Sequence, residues 1–149
     1  MNTTLQTASN AHITDLLRMV EAFYALEHIP FDADCSRAAL APLLGDSDLG
    51  RVYLIEVDGQ MAGYCVICFG YSLEFGGRDA FIDEIFVLET HRGKGIGRTV
   101  LEKVAEEARA LGIRALHLEV ERNNTPAQRL YDRAGFEKRE KYFLMSRYL

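Results

Sequence analysis

The stretch that decides the fold is FIDEIFVLETHRGKGIGRT, residues 81–99, in which an apolar segment passes through a glycine-rich basic loop into a helix. Its first eight residues carry six apolar side chains and only two acids, a composition typical of a strand buried on both faces. Apolar side chains then recur at helical spacing over residues 98–111. The pattern therefore predicts a strand, a glycine loop and a helix in succession.

The loop at residues 92–97 is predicted to bind an anion. Glycines let a backbone approach a ligand closely, and the first amides of a helix have no intrahelical acceptor, so they face outward as donors. Arg92, Lys94 and Arg98 add positive charge, which makes a phosphate or pyrophosphate the expected ligand. A dinucleotide fingerprint would need glycine at Arg98, and a P-loop would need Ser or Thr at Gly95, so neither motif is present.

Two blocks of the chain resemble one family. The spacing R-x-x-G-x-G, filled by Arg92, Gly95 and Gly97, resembles the acyl-coenzyme A pyrophosphate loop of the GCN5-related N-acetyltransferase (GNAT) superfamily. The block N-x-x-A-x-x-L-Y-x-x-x-G-F at residues 124–136 resembles a second conserved block of the same superfamily. A basic glycine loop alone could be a tight connection, but two blocks in the right order favour the family.

The sequence also predicts the architecture around these blocks. Asp58-Gly59 between two apolar runs predicts a β-hairpin, and residues 113–120 predict a strand that returns parallel to the central strand by a right-handed crossover. Ser36 is the predicted cap of a second helix, and residues 142–148 are predicted to form a terminal strand. We therefore expect one α/β domain over residues 1–149, GNAT-like, with a mixed, mostly antiparallel sheet, splayed parallel central strands and flanking helices.

The resemblance implies an N-acetyltransferase that moves the acetyl group of acetyl-coenzyme A directly to a primary amine of a small molecule, protein or peptide. Tyr131 matches the family position of the general acid, with a packing role as the alternative. For the general base the sequence leaves Asp83, Glu84 and Glu119 open, or internal salt bridges for each of them. Since neighbouring strand residues face opposite sides, we expect at most one of Asp83 and Glu84 to enter the cleft.

The resemblance also implies how the acyl donor binds. Backbone amides of the central strand would hold the pantetheine arm, the loop would hold the pyrophosphate, and the start of the 124–136 block would lie near the arm. The competing class is a non-catalytic acyl-coenzyme A binding or sensing domain, which would keep the loop and lose the acid and base. The implied binding residues are Phe86, Val87, Arg92, Gly93, Lys94, Gly95, Ile96, Gly97, Arg98, Asn124, Ala127 and Tyr131.

The composition limits which classes of binding partner are expected. A net charge of −5 and a pI near 5.4 argue against a nucleic-acid or anionic-membrane binder. The acidic balance favours a cationic acceptor, such as a polyamine, an aminoglycoside or a lysine side chain. Cys65 and Cys68 fit small core residues better than a metal or redox pair, so we expect no metal.

Two further expectations concern the ends of the chain. The N-terminal ten residues have no basic region followed by an apolar core, which favours a cytoplasmic protein. The apolar, aromatic residues 142–149 would lie at a sheet edge, where a second copy could cover them. A homodimer is therefore a hypothesis from the sequence.

Overall fold

A five-stranded sheet with its strands in chain order frames the molecule in the computed structural model, which describes residues 1–149. The first four strands pair antiparallel, and the last pairs parallel with its neighbour, so the predicted mixed, mostly antiparallel sheet is confirmed. The strands are β1 (Thr3–Thr7), β2 (Gly50–Val57), β3 (Gln60–Ser72), β4 (Gly77–Val87) and β5 (Leu116–His117).

Helices cover both faces of this sheet. On one face the apolar stripe of α3, which includes Val100 and Val104, packs on Ile67 and Ile82; on the other, Leu16 of α1 packs with Tyr64 and Phe86. Each layer buries a continuous apolar core, which is the main stabilising contribution in a domain of this size. The helices are α1 (Ile13–Leu26), α2 (Ala33–Leu40), α3 (Ile96–Ala110) and α4 (Thr125–Arg133), with short 3₁₀ turns at Asn10–His12, Ala41–Leu43 and Glu89–His91.

The β2–β3 hairpin forms where the sequence predicts it. Asp58 and Gly59 adopt positive φ angles of 51° and 77°, the left-handed pair that a tight two-residue turn requires between twisted strands. The turn sets the register of β2 on β3 and hence the position of Tyr64, which pairs with Phe86 of β4. The hairpin thus places an aromatic side chain beside the central strand.

The second helix begins earlier than predicted. Asp32, not Ser36, is the N-cap, because its carboxylate accepts a hydrogen bond from the Cys35 amide at 2.8 Å. Ser36 lies inside α2, where its own amide already donates to the Asp32 carbonyl. Asp and Ser are both preferred N-cap residues, and the Asp32 carboxylate takes the role four residues before the predicted position.

The predicted strands beyond α3 are the main difference from expectation. Only Leu116 and His117 of residues 113–120 pair with β4, and residues 142–148 form no strand. The aromatic side chains of the C-terminal segment are instead exposed, Phe143 by 79% and Tyr148 by 96%. The edge strand from which the homodimer was predicted does not form, and the homodimer itself stays a prediction. No helix has the length and apolar content to cross a membrane.

Candidate active site

The candidate site lies where β4 and β5 separate. The two strands pair only at Ala80–Leu116 and Phe81–His117, and beyond this point a cavity of about 350 Å³ opens between them. Such a divergence is where ligands bind in folds of this kind. The structure brings together in this cavity six of the residues that the sequence singled out: Asp83, Glu84, Glu119, Asn124, Ala127 and Tyr131.

A bulge in β4 determines which acids face the cavity. The pairing with β3 shifts between Val66 and Ile67, which oppose Glu84 and Ile82, so Asp83 is the extra residue. Ile82 lies in the core between the sheet and α3 (the α3 core), whereas Phe86, four residues later, lies in the core between the sheet and α1 (the α1 core). In a regular strand, residues four apart lie on the same face, so the alternation of faces is inverted across the bulge. Asp83 and Glu84 therefore share the α1 face, and the prediction that at most one of them enters the cleft is wrong.

Glu84 is the more deeply placed of the two acids. The Tyr64 hydroxyl donates a hydrogen bond of 3.4 Å to its Oε2 atom. The pKa of Glu84 is raised to about 7, first by burial and then by the neighbouring charge of Asp83, while the Tyr64 hydrogen bond opposes the shift. Asp83 is more exposed at the rim, and its pKa is raised by partial burial alone. The cavity thus holds a carboxyl group that changes charge near neutral pH.

Tyr131 faces the same cavity from α4. The side chain is half-buried, and its ring lies 6.1 Å from the Phe136 ring, which fixes its orientation. Burial raises the pKa of its hydroxyl, and the charges of Cys65 and Glu27 raise it further. No hydrogen bond is among the causes of this shift, so the hydroxyl stays available to a ligand. Tyr131 therefore keeps its proton at neutral pH and presents it to the cavity.

The helix α4 that carries Tyr131 starts at the beginning of the second block. The Asn124 side chain caps it by accepting a hydrogen bond from the Ala127 amide at 3.2 Å, and Pro126 follows at an early position where no amide is needed. Asn124 is therefore a cap as well as a residue of the cavity wall. Its carboxamide nitrogen stays available to a ligand because the capping bond uses only the oxygen.

The glycine loop next to the cavity has the form of an anion site. Gly93 and Gly95 adopt φ angles of 75° and 78°, and Gly95 is the N-cap of α3 without any side-chain cap. The first amides of α3, from Ile96 onward, therefore keep free donors at the positive end of the helix dipole. Gly97 has a different role, since a Cβ atom there would lie 3.2 Å from the Leu130 side chain of α4.

Three cations surround this loop, and they differ in their partners. The Nε atom of Arg92 donates to the Val87 carbonyl at 2.7 Å, and its guanidinium lies 5.3 Å from the Phe86 ring centre, which leaves its terminal nitrogens free. Lys94 donates to the Thr90 carbonyl at 3.0 Å, and Arg98 pairs with Glu102 at 2.9 Å. Arg92 is therefore the cation that is most firmly positioned for an anion.

The exposed edge of β4 links the loop to the cavity. The Leu88 amide donates to Ala62 on β3 at 2.8 Å, and amides in an antiparallel ladder alternate between the two edges. The Val87 amide therefore faces the open edge beside the cavity, whereas the Phe86 amide faces β3. Of the two amides in the sequence prediction, Val87 is the one free to hold a ligand.

Four acidic or aromatic residues of the site were not found as site residues by sequence reasoning: Phe23, Glu27, Tyr64 and Glu121. Phe23 and Glu27 reach the cavity from the end of α1, and Glu121 from the segment after β5. Tyr64 lies beneath Glu84 only because the hairpin register places it there. None of the four belongs to a local motif, so only the tertiary structure identifies them.

Comparison with known proteins agrees with this geometry. The model of the acetyltransferase (GNAT) family matches residues 16–136, most of the chain and both blocks of the site. The chain belongs to the GNAT acetyltransferase family. Members of this family use acetyl-coenzyme A as acyl donor and transfer the acetyl group to amines.

Individual proteins are also similar to this chain. A solved integron cassette protein from the mobile metagenome of Cole Harbour Salt Marsh shares 34% identity and a TM-score of 0.85, over 97% of this chain and 90% of that one. Streptothricin acetyltransferase of Streptomyces lavendulae is 36% identical over 61% of this GNAT chain, and the match spans 46% of that protein. Thialysine N-epsilon-acetyltransferase of Mus musculus is 28% identical over 90% of this chain and 84% of its own length.

Proposed function

We propose that this GNAT protein transfers the acetyl group of acetyl-coenzyme A directly to a primary amine, with Glu84 as general base and Tyr131 as general acid. One observation carries the proposal. A single cavity holds a carboxyl group whose pKa is about 7 and a tyrosine hydroxyl that has no hydrogen-bond partner, beside an uncapped helix start. A base and an acid of unlike pKa in one cleft suit a reaction that moves one proton off and another on.

The residues of the loop fit the acyl donor. Arg92 and the first amides of α3 would hold the pyrophosphate, and the free Val87 amide and the Asn124 carboxamide would hold the pantetheine arm. When bound, acetyl-coenzyme A supplies a thioester carbonyl activated toward an amine. Because β4 leads from the loop into the cavity, a donor held in this way would bring its reactive end to Glu84 and Tyr131.

Glu84 is the best supported of the three candidate bases. An amine attacks only when it is neutral, so a group in the cleft must accept its proton. A carboxyl group with a pKa of about 7 is a stronger base than an ordinary carboxylate and is still largely ionised slightly above neutral pH. Asp83 lies nearer the rim, and Glu119 is exposed, so each has less of the burial that strengthens a base.

Tyr131 would complete the reaction. The thiolate of coenzyme A that leaves is a better leaving group once it receives a proton, and the raised pKa keeps the Tyr131 proton in place until then. The protonated Glu84 then releases the amine proton to solvent and the Tyr131 phenolate takes up a proton from solvent, so the site returns to its starting state. No protein nucleophile takes part, so no covalent acyl-enzyme forms.

The substitution Tyr131→Phe tests the proposal. It keeps the ring that packs on Phe136 and removes only the hydroxyl. We expect turnover, followed as thiol release, to fall about 10²- to 10⁴-fold, as for loss of a general acid. We expect coenzyme A affinity in calorimetry to change by well under ~1 kcal/mol, because the hydroxyl acts after binding. A packing tyrosine would instead leave turnover within about threefold and lower the free energy of unfolding by about 1 kcal/mol.

The competing function is separated by the same assay. An acyl-coenzyme A sensing domain would bind the coenzyme and release no thiol with any amine. The cavity argues against it, since a sensor needs neither a base nor an acid at the reactive end. An active wild type together with an inactive, folded, coenzyme-binding Tyr131→Phe variant supports the enzyme.

A further inference from the structure

The cavity between β4 and β5 is charged with one sign only. Of the residues that line it, none is Lys, Arg or His, whereas the chain has 17 Lys and Arg in all. The acids come from three separate parts of the chain, namely the end of α1, the β4 bulge and the segment after β5. They are Glu27, Asp83, Glu84, Glu119 and Glu121.

These acids have no cationic partner within the protein. The ion pairs of the molecule are formed by other acids, such as Asp46, Glu74 and Glu102, and none includes an acid of the cavity. They also do not converge into a set that could hold a metal ion. Glu27, Glu119 and Glu121 are exposed at the rim of the cavity, and carboxylates gathered around one cavity attract a ligand of positive charge.

The reacting amine cannot supply this charge. It must be neutral when it attacks, and in the proposed function its proton goes to Glu84. Glu27, Glu119 and Glu121 would then still face the cavity as carboxylates without a cation. A second positive group on the same acceptor can meet them while the first nitrogen reacts. Phe23 adds an aromatic ring to the same wall, and such rings attract ammonium groups.

We propose that the acceptor is a polycationic amine, with one primary amine that reacts at Glu84 and at least one further ammonium or guanidinium group held by Glu27, Glu119 and Glu121. This inference rests on the proposed function and adds the substrate class. The three acids act as specificity residues, because they bind a part of the acceptor that does not react.

A matched pair of amines tests the substrate class. Butane-1,4-diamine and n-butylamine have the same carbon chain and differ by one ammonium group at neutral pH. We expect kcat/KM for thiol release to be at least about 30-fold higher with the diamine, since several carboxylates act on the added charge. We expect 6-aminohexanoate, whose carboxylate faces the same wall, to be poorer than n-butylamine. Equal kcat/KM for the diamine and the monoamine, within about threefold, would overturn the inference.

Charge-neutral variants test the residues. In Glu27→Gln, Glu119→Gln and Glu121→Gln, the preference for the diamine over the monoamine should fall by about three- to tenfold, mainly through KM for the diamine. Glu21→Gln is the matched control. Glu21 is exposed, lies in α1, the helix that ends just before Glu27, and is outside the cavity. Preferences that match the control in all three variants would overturn the assignment to these carboxylates.

Failure of the function and failure of this inference give different results. If no amine releases thiol, the proposed enzyme activity is wrong, and binding then decides the substrate class. Calorimetry of each amine into the protein saturated with coenzyme A should show tighter binding of butane-1,4-diamine than of n-butylamine. Equal or absent binding of both amines would overturn the inference as well, whereas thiol release without a diamine preference overturns the inference alone.

Discussion

The glycine loop, at the basic end of the site, and the cavity, at its acidic end, lie along the edge of one strand, β4, and carry opposite charge. The loop presents Arg92 and the uncapped start of α3, and the cavity presents carboxylates without any cation. The loop is built from consecutive residues, whereas the cavity is assembled from α1, β4, the segment after β5 and α4. One end is suited to a phosphate-bearing donor and the other to a cationic acceptor.

This difference indicates how the two functions are encoded. In the proposed function, binding of the acyl donor lies in a local motif that needs only a strand, three glycines and a helix start. Selection of the acceptor would depend on side chains that several elements contribute. Variants at each end should therefore separate donor affinity, turnover and acceptor preference.

The largest effect is expected at the acidic end, from Glu84→Gln. The amide cannot accept the proton of the amine, so kcat/KM should fall about 10²- to 10⁴-fold. In the wild type, kcat/KM should rise with pH through about 7, because the base must be ionised, and this limb should be absent in the variant. A pH–rate profile measured with one amine of known pKa checks both points. An unchanged limb in the variant would assign it to another group.

The same substitution should stabilise the fold. The folded-state pKa of Glu84 is raised, so its contribution to stability is present below the unfolded value of 4.5 and is lost as pH rises through about 7. The variant should therefore be more stable at pH 8, by about 1–2 kcal/mol after allowance for solvent screening. The gain should vanish below pH 4.5, which urea unfolding at both pH values measures. Equal stability at pH 8 would mean that burial does not penalise the carboxylate.

At the basic end, Gly95→Asp should affect binding and not the chemistry of the bound complex. The new carboxylate stands at the helix start where the pyrophosphate is expected, and the affinity for coenzyme A should fall about 100-fold. Gly45→Asp is the matched control, because Gly45 has a similar φ of 71° and equally open space but lies outside the loop. Calorimetry in which both variants bind coenzyme A as the wild type does would disprove the loop assignment.

The smallest effect is expected from Tyr64→Phe, beneath the acidic end. Its hydrogen bond to Glu84 favours the ionised carboxyl, so its loss should move the limb of the pH–rate profile to higher pH. At pH 7, kcat/KM should fall about two- to fivefold, the size of one modest hydrogen bond. Tyr53→Phe is the control, since Tyr53 is equally buried but lies in the α3 core. If the limb of the pH–rate profile stays at the wild-type pH in Tyr64→Phe, the Tyr64 hydrogen bond does not set the pKa of Glu84.

The basic end could be predicted from the sequence because its signals are local. A glycine at a helix start has a conformational reason that does not depend on distant residues, and the αL angle of Gly95 agrees with it. The hairpin at Asp58 and Gly59 has the same character. In both places the structure follows directly from neighbouring residues.

The acidic end could be predicted only in part. The sequence identified Asp83, Glu84 and Tyr131, but the rule of alternating faces failed because the bulge is a property of the pairing between β4 and β3. Glu27 was missed since its contact with the cavity depends on how α1 packs on the sheet. Positions set by tertiary packing leave no pattern in the chain.

At the C-terminal segment the sequence predicted a structure that does not form, whereas at the cavity it missed residues that are present. Apolar and aromatic content predicts a strand at residues 142–148, but a strand needs a partner edge as well as a suitable composition. The sheet narrows to two paired residues at β5, so little ladder remains for the segment to join. Intrinsic preference alone was insufficient there.

The single extra residue in β4 also bears on how acceptor choice could change. Removal of Asp83 would make the pairs Ile67–Ile82 and Val66–Glu84 consecutive, so Ile82 would stay in the α3 core and Glu84 would stay on the α1 face. The deletion would straighten the strand and take one carboxylate from the cavity wall while the other residues keep their faces. The bulged position can therefore gain or lose a residue without exchanging the two cores, and in the proposed function this is a route to new substrate ranges beside substitution at Glu27, Glu119 and Glu121.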